Sequence, residues 1–172
     1  MSSEEDISKV KKAAFALATG WDNFKESHNE NYKTYLSKIR KNAIDVICQF
    51  GYSDDSVYKN LGKSYTINIL SAAPDYDEIK KTLDALAAIK SDRAISMLTK
   101  YFMELHIKRC NTQWGNKEDI IYPWIVNSIG LTKYKTKNIS YILGIILQTD
   151  KYTLQERQHA ENVLNPKHND TP

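Results

Sequence analysis

"ALAAIKSDRAISML", residues 85–98, carries parts of two apolar series at helical spacing, Leu83-Leu86-Ile89 and Ile95-Leu98-Phe102, parted only by the polar triplet Ser91-Asp92-Arg93. Residues three and four apart share one face of a helix, so each series predicts a helix with one buried side. A joint of three polar residues is too short to carry the second helix far from the first. The stretch therefore predicts two consecutive helices joined by a tight turn, with Ser91 placed to cap the second.

The same grammar extends in both directions. Ile7-Val10-Ala14-Leu17 predicts a first helix, with Ser3 as its cap and Gly20 as its stop. After the polar stretch at 19–31, a helix is expected over about 31–50, ended by Gly51, and a third from Ser53 towards Leu70, closed by Pro74. Asp75-x-x-Glu78 opens a fourth, because an acidic cap with Glu three residues on satisfies first-turn amides. That helix ends near Lys90, and a fifth runs from Ser91 to Arg109. A loop "CNTQWGNK" precedes a sixth over 118–129, with Pro123 in its first turns, where a missing amide does little harm, and Gly130 as its stop. A seventh covers 134–148, and Thr153-x-x-Glu156 is a capping box for an eighth that ends at Val163-Leu164. Nothing reads as a strand, so the expected class is all-α.

Three of the joints repeat. Ile47-x-x-Phe50-Gly51 before Ser53, Leu86-x-x-Ile89-Lys90 before Ser91, and Val126-x-x-Ile129-Gly130 before Thr132 recur at a lag of about 40 residues, the period of helical-hairpin solenoids. One hairpin cannot bury both its faces, so stacked neighbours must do so. Residues 85–102, through Ala85, Leu86, Ile89, Arg93, Ala94, Ile95 and Leu98, resemble the HEAT-repeat consensus, an armadillo-type α-α superhelix; 40–164 follow it more loosely. Lys90, Ser91 and Asp92 stand where that consensus has Gly, Asp and Pro. The resemblance implies a short right-handed superhelix of about three HEAT-like hairpins, within a single domain over 1–172. Residues 1–30 would form a capping helix and loop, 31–164 the hairpins plus a C-terminal capping helix, and 165–172 a flexible tail.

Composition excludes several function classes. The 24 Lys and Arg against 21 Asp and Glu give a net charge of +3, a mild basic tilt rather than a nucleic-acid footprint. No run approaches the roughly 20 apolar residues of a membrane span. The start "MSSEEDISKVKK" has no apolar signal region, and the two cysteines, Cys48 and Cys110, sit in helix-like segments without a C-x-x-C, so a reduced interior pair in a cytoplasmic protein is expected.

Searched for chemistry, the chain offers fragments. "LGKS" at 61–64 lacks the first glycine of a phosphate loop, with Val57 in its place, and falls inside a helical pattern. His106 and Cys110 have the four-residue spacing of a metal pair but supply half a tetrahedral site at most. Asp54, Asp55, Asp75, Asp77 and Glu78 all sit at helix starts, where carboxylates cap. Lys133, Lys135 and Lys137 around Tyr134, with Lys100, Lys108 and Arg109, form the densest basic cluster and could track a phosphate backbone. No catalytic residue, metal or cofactor is assigned.

The helix from Ser91 to Arg109 is apolar on two sides: Leu98, Phe102 and Leu105 on one, and Met103 and Ile107, with Lys100, on the other. Such a helix is either sandwiched or offers a surface. In a HEAT-like stack the second helix of each hairpin lines the concave side, which assigns Tyr58, Tyr65, Lys100, Met103, Ile107, Lys135 and Tyr141 to a partner face. Trp114, in the loop, is a further anchor, since Tyr, Trp, Met and cations are enriched where proteins meet. The expected function is a non-enzymatic protein-binding module or scaffold, monomeric or weakly dimeric, binding no membrane. The alternatives are an immunity protein that inhibits a bacterial toxin by direct binding, and a nucleic-acid-binding HEAT-like protein.

Overall fold

A computed structural model describes residues 3–26, 29–132 and 137–165, less the side chains of 25, 26, 137 and 138. Among the described residues there is no strand, and the helices are α1 (Glu4–Glu26), α2 (Glu30–Phe50), α3 (Asp55–Leu70), α4 (Tyr76–Ile89), α5 (Asp92–Cys110), α6 (Asn116–Leu131), α7 (Lys137–Gln148) and α8 (Leu154–Leu164). The all-α class is as the periodicity predicts. The chain divides into two compact units, Met1–Ile89 and Lys90–Pro172.

In the first unit, α1 does not stop at Gly20 as expected; it continues to Glu26. The apolar period simply runs on, Val10, Ala14 and Leu17 being followed by Trp21, all buried. The Trp21 indole N–H donates to Ser64 Oγ at 2.9 Å. That bond also accounts for "LGKS": Leu61–Ser64 is one turn of α3, with Leu61 and Ser64 wholly buried. A Cβ on Gly20 would come 2.7 Å from Arg40 Cγ, so the residue that looks like a stop is the clearance that lets Arg40 pass over α1.

Arg40 explains a second departure. Asp75 caps α4 as expected, accepting from the Glu78 amide at 3.0 Å. The Glu78 side chain does not close a capping box; it turns inward and receives Arg40 Nε and Nη2 at 2.9 and 3.0 Å. Arg40 meanwhile lies 4.0 Å from the Trp21 ring centroid and 5.0 Å from that of Phe24. A buried carboxylate needs a paired cation, which outweighs one exposed capping bond.

Gly51 ends α2 as predicted, at φ 58, and its own amide returns to the last turn. A Cβ there would stand 3.0 Å from the Ala88 carbonyl oxygen, so both backbone angle and clearance call for glycine. The cap of α3 is Asp54 rather than Ser53, accepting from the Val57 amide at 2.7 Å. Backbones approach most closely between α1 and α2, α2 and α4, α3 and α4, and α1 and α3. The α2–α3 pair on either side of the Gly51 turn is not among these.

In the second unit, Ser91 caps α5 as predicted, accepting from the Ala94 amide at 3.1 Å. Lys90, where the HEAT consensus has Gly, holds the left-handed conformation at φ 50. Leu98, Phe102 and Leu105 are buried, as the pattern requires. Helix α6 corrects two expectations. It begins at Asn116, which puts Pro123 in its interior, and it passes through Gly130 to Leu131. A Cβ on Gly130 would come 2.8 Å from the Val163 carbonyl oxygen, so this glycine serves the close crossing of α6 and α8, not a stop. The Thr153 capping box of α8 forms in both directions, at 3.2 and 2.7 Å. Helix α7 lies against α8. Residues 133–136 fall outside the description.

Candidate binding surface on helix α5

Helix α5 presents two unlike sides. Ala94, Ile95, Leu98, Tyr101, Phe102 and Leu105 are buried, which anchors the helix rigidly. At its other side Lys100 is exposed, Met103 half-buried and Ile107 54% exposed. The predicted stripe therefore exists, and its apolar centre meets solvent.

Its C-terminal half runs into a polar-aromatic cluster built from α6, α8 and the segment before α8. The Arg109 guanidinium lies 3.8 Å from the Trp114 ring centroid and 4.8 Å from that of Tyr152, and pairs with Glu156 at 2.7 Å. Tyr122 stacks on Tyr152 at 5.5 Å and meets Trp114 edge-on at 6.0 Å. His106 stacks between Phe102 at 6.2 Å and Tyr152 at 5.9 Å. The Trp114 N–H donates to Asp119 at 2.6 Å, so the loop tryptophan is half-buried and held at both face and edge.

Charge in the cluster is matched. Burial would raise the carboxyl of Glu118, but hydrogen bonds from Lys108 and backbone amides prevail and hold it below its ordinary value. Glu156 is the same case, with Arg109 and Thr153 outweighing burial. Burial pushes the Tyr122 and Tyr152 phenols well up, and burial pulls the His106 imidazole down, so it is neutral at pH 7.

The remaining expected partner residues divide. Tyr141, on α7, is 59% exposed. Tyr58 and Tyr65, on α3, are 7% and 1% exposed and lie within the core, so neither offers a surface; α3 turns both aromatics inward with Leu61. Lys135 lies outside the described residues, as do Lys133 and the Lys137 side chain, so the basic cluster named from them is not described. Of the α5 cations grouped with it, Lys100 stands 3.8 Å from Glu104, and Lys108 and Arg109 are paired with Glu118 and Glu156. The cysteines are free, but Cys110 is exposed rather than interior, and Cys48 half-buried. Among the described residues no group of three or more His, Cys, Asp or Glu could hold a metal ion, and no helix is long and apolar enough to cross a membrane.

The Arg109, Tyr122, Tyr152 and Glu156 assembly was not visible in the sequence. Its members come from α5, α6 and the segment leading into and through the start of α8, and within it only Tyr152 and Glu156 stand within a helical turn of one another. An open groove of about 500 Å³ between α1 and α2, floored by Ala13, Ala16, Ala43 and Val46 with Lys9 and Lys12 at its edge, was likewise unsignalled. Comparison of the chain with family models, curated proteins and solved structures finds no match.

Proposed function

We propose that this chain is a non-enzymatic protein-binding module, HEAT-like in construction, that engages another protein through the outward side of α5. The observation that carries the proposal is the exposure of Ile107, 54%, beside half-buried Met103 on a helix whose opposite side is fully buried. An apolar side chain held on a rigid helix loses little entropy on binding and gains by desolvation, the character of an interface anchor. Lys100 supplies a cation at one end of the stripe, and Tyr141 is an exposed aromatic on α7 of the same unit. The HEAT-like reading is supported by the Ser91 joint, whose cap forms as expected, and by the Gly51 stop. A toxin inhibited by direct binding is the narrower form of the same proposal.

The test is affinity capture with the wild-type chain beside Ile107→Asp and Lys100→Glu. Ile107→Asp should abolish recovery of the partner while leaving the melting temperature within a few degrees, as expected of an exposed site. Lys100→Glu should weaken binding in a salt-dependent way. A partner retained at full strength by a folded Ile107→Asp protein would remove α5 as the binding surface.

A further inference from the structure

The end of α5 holds three groups in series. Cys110 Sγ lies 3.6 Å from His106 Nε2, and His106 Nδ1 lies 3.0 Å from the Tyr152 hydroxyl oxygen. The thiol is exposed, the imidazole half-buried and the phenol buried, so the series runs from solvent into the core. A nucleophile within reach of a base that a third group orients is the arrangement by which proteins activate thiols.

We propose that Cys110 is a thiol–disulfide exchange site that accepts a small-molecule disulfide, with His106 as its base and Tyr152 as the positioning residue. When His106 Nδ1–H donates to the Tyr152 oxygen, the Nε2 lone pair faces the sulfur. The thiol proton passes to Nε2, and the thiolate attacks one sulfur of the disulfide RSSR. The Cys110 S–S bond forms as the RS–SR bond breaks, and the leaving thiolate takes the proton from Nε2 and departs as RSH. Cys110 is oxidised, one half of RSSR is reduced, and the imidazole returns to its starting state.

The surroundings make the base necessary. Cys110 is the last residue of α5, where the helix carbonyl ends disfavour an anion. The neighbouring Arg109 cation is committed to Glu156, Lys108 to Glu118, and the Tyr122 and Tyr152 phenols remain protonated. Burial keeps His106 neutral and able to accept a proton. Cys48 has no such arrangement: burial, with Asp84 and Asp45 nearby, raises its thiol and makes it an internal control.

The experiment treats the full chain with glutathione disulfide at pH 7 and follows adducts at Cys110 and Cys48 separately by mass spectrometry. Cys110 should react first, and His106→Gln should slow it five- to tenfold. The ceiling is roughly thirty-fold, because a few per cent of a free thiol is already ionised at pH 7 and a stronger acid is a weaker nucleophile. Tyr152→Phe keeps the ring but removes the oxygen, and should slow the reaction at Cys110 and alter the pH dependence that the His106 imidazole imposes on it, with Cys48 unchanged. The wild-type chain should react at Cys110 faster when folded than in urea, where His106 is no longer held 3.6 Å away, a comparison that needs no variant. Equal folded and unfolded rates at Cys110, or a folded His106→Gln protein reacting at the wild-type rate, would overturn the proposal.

Discussion

Arg40 and Glu78 form a two-pronged ion pair, Nε to Oε1 at 2.9 Å and Nη2 to Oε2 at 3.0 Å, with side chains only 3% and 0% exposed. It joins α2 to α4 across 38 positions of sequence, and Trp21 of α1 covers the guanidinium. Removing one partner strands the other's charge in the core. Glu78→Gln should therefore cost about 3–5 kcal/mol in urea denaturation, while replacing both partners with apolar residues of similar volume should recover most of the loss. A double variant no better than the single one would mean that α2 and α4 depend on the pair's geometry rather than its charge balance.

Two glycines should respond oppositely to the same change. At Gly130 a Cβ would come 2.8 Å from the Val163 carbonyl oxygen, whereas at Gly144, inside α7, it would meet nothing within 4 Å. Gly130→Ala should lower stability by about 1–3 kcal/mol through overpacking. Gly144→Ala should raise it by roughly 0.5–1 kcal/mol, because alanine loses less backbone entropy in a helix. Thermal melts of the pair check both signs.

Leu98→Ala should cost about 2–5 kcal/mol, since the side chain is wholly buried on α5 and its removal leaves a cavity. Ser91→Ala loses the bond to the Ala94 amide and should cost about 1 kcal/mol. Denaturant midpoints that hardly move for Leu98→Ala would contradict its packing.

Acid should weaken the fold for a stated set of groups. Asp75, Glu118 and Glu156 are each held below their ordinary values by hydrogen bonds that outweigh burial. In the unfolded chain such carboxyls titrate near pH 4. The unfolded state therefore binds more protons over this range, and the stabilisation, complete above about pH 5, is lost as pH falls through the lower folded values. His106, lowered by burial, adds a loss that begins nearer its ordinary value of about 6.5. Urea midpoints measured between pH 7 and 3 should fall monotonically, and Lys108→Met should flatten the acidic part of the curve by releasing Glu118. An unchanged slope in that variant would show that Glu118 is not held by Lys108.

Helix class, most helix centres, the Gly51 stop, the Ser91 cap, the Thr153 capping box and the two-sided character of α5 were determined by the sequence alone. Each depends on residues within four positions of one another, and hydrogen bonding and apolar periodicity act over that range. Gly20, Glu78, Pro123 and Gly130 were misread for the complementary reason. Taken locally they are a stop, a cap, a first-turn proline and another stop, and only the approach of Arg40 to α1 and α4, the true start of α6, and the crossing of α6 by α8 assign their roles. Burial of Tyr58 and Tyr65 and exposure of Ile107 were decided the same way, since an amphipathic pattern names two faces without saying which one a neighbour will cover. The Arg109–Trp114–Tyr152 cluster and the Cys110–His106–Tyr152 series join positions that the chain separates by up to 46 residues. Such groups meet only after the helices have packed, because it is the packing of apolar faces, not any local preference, that fixes which distant side chains become neighbours.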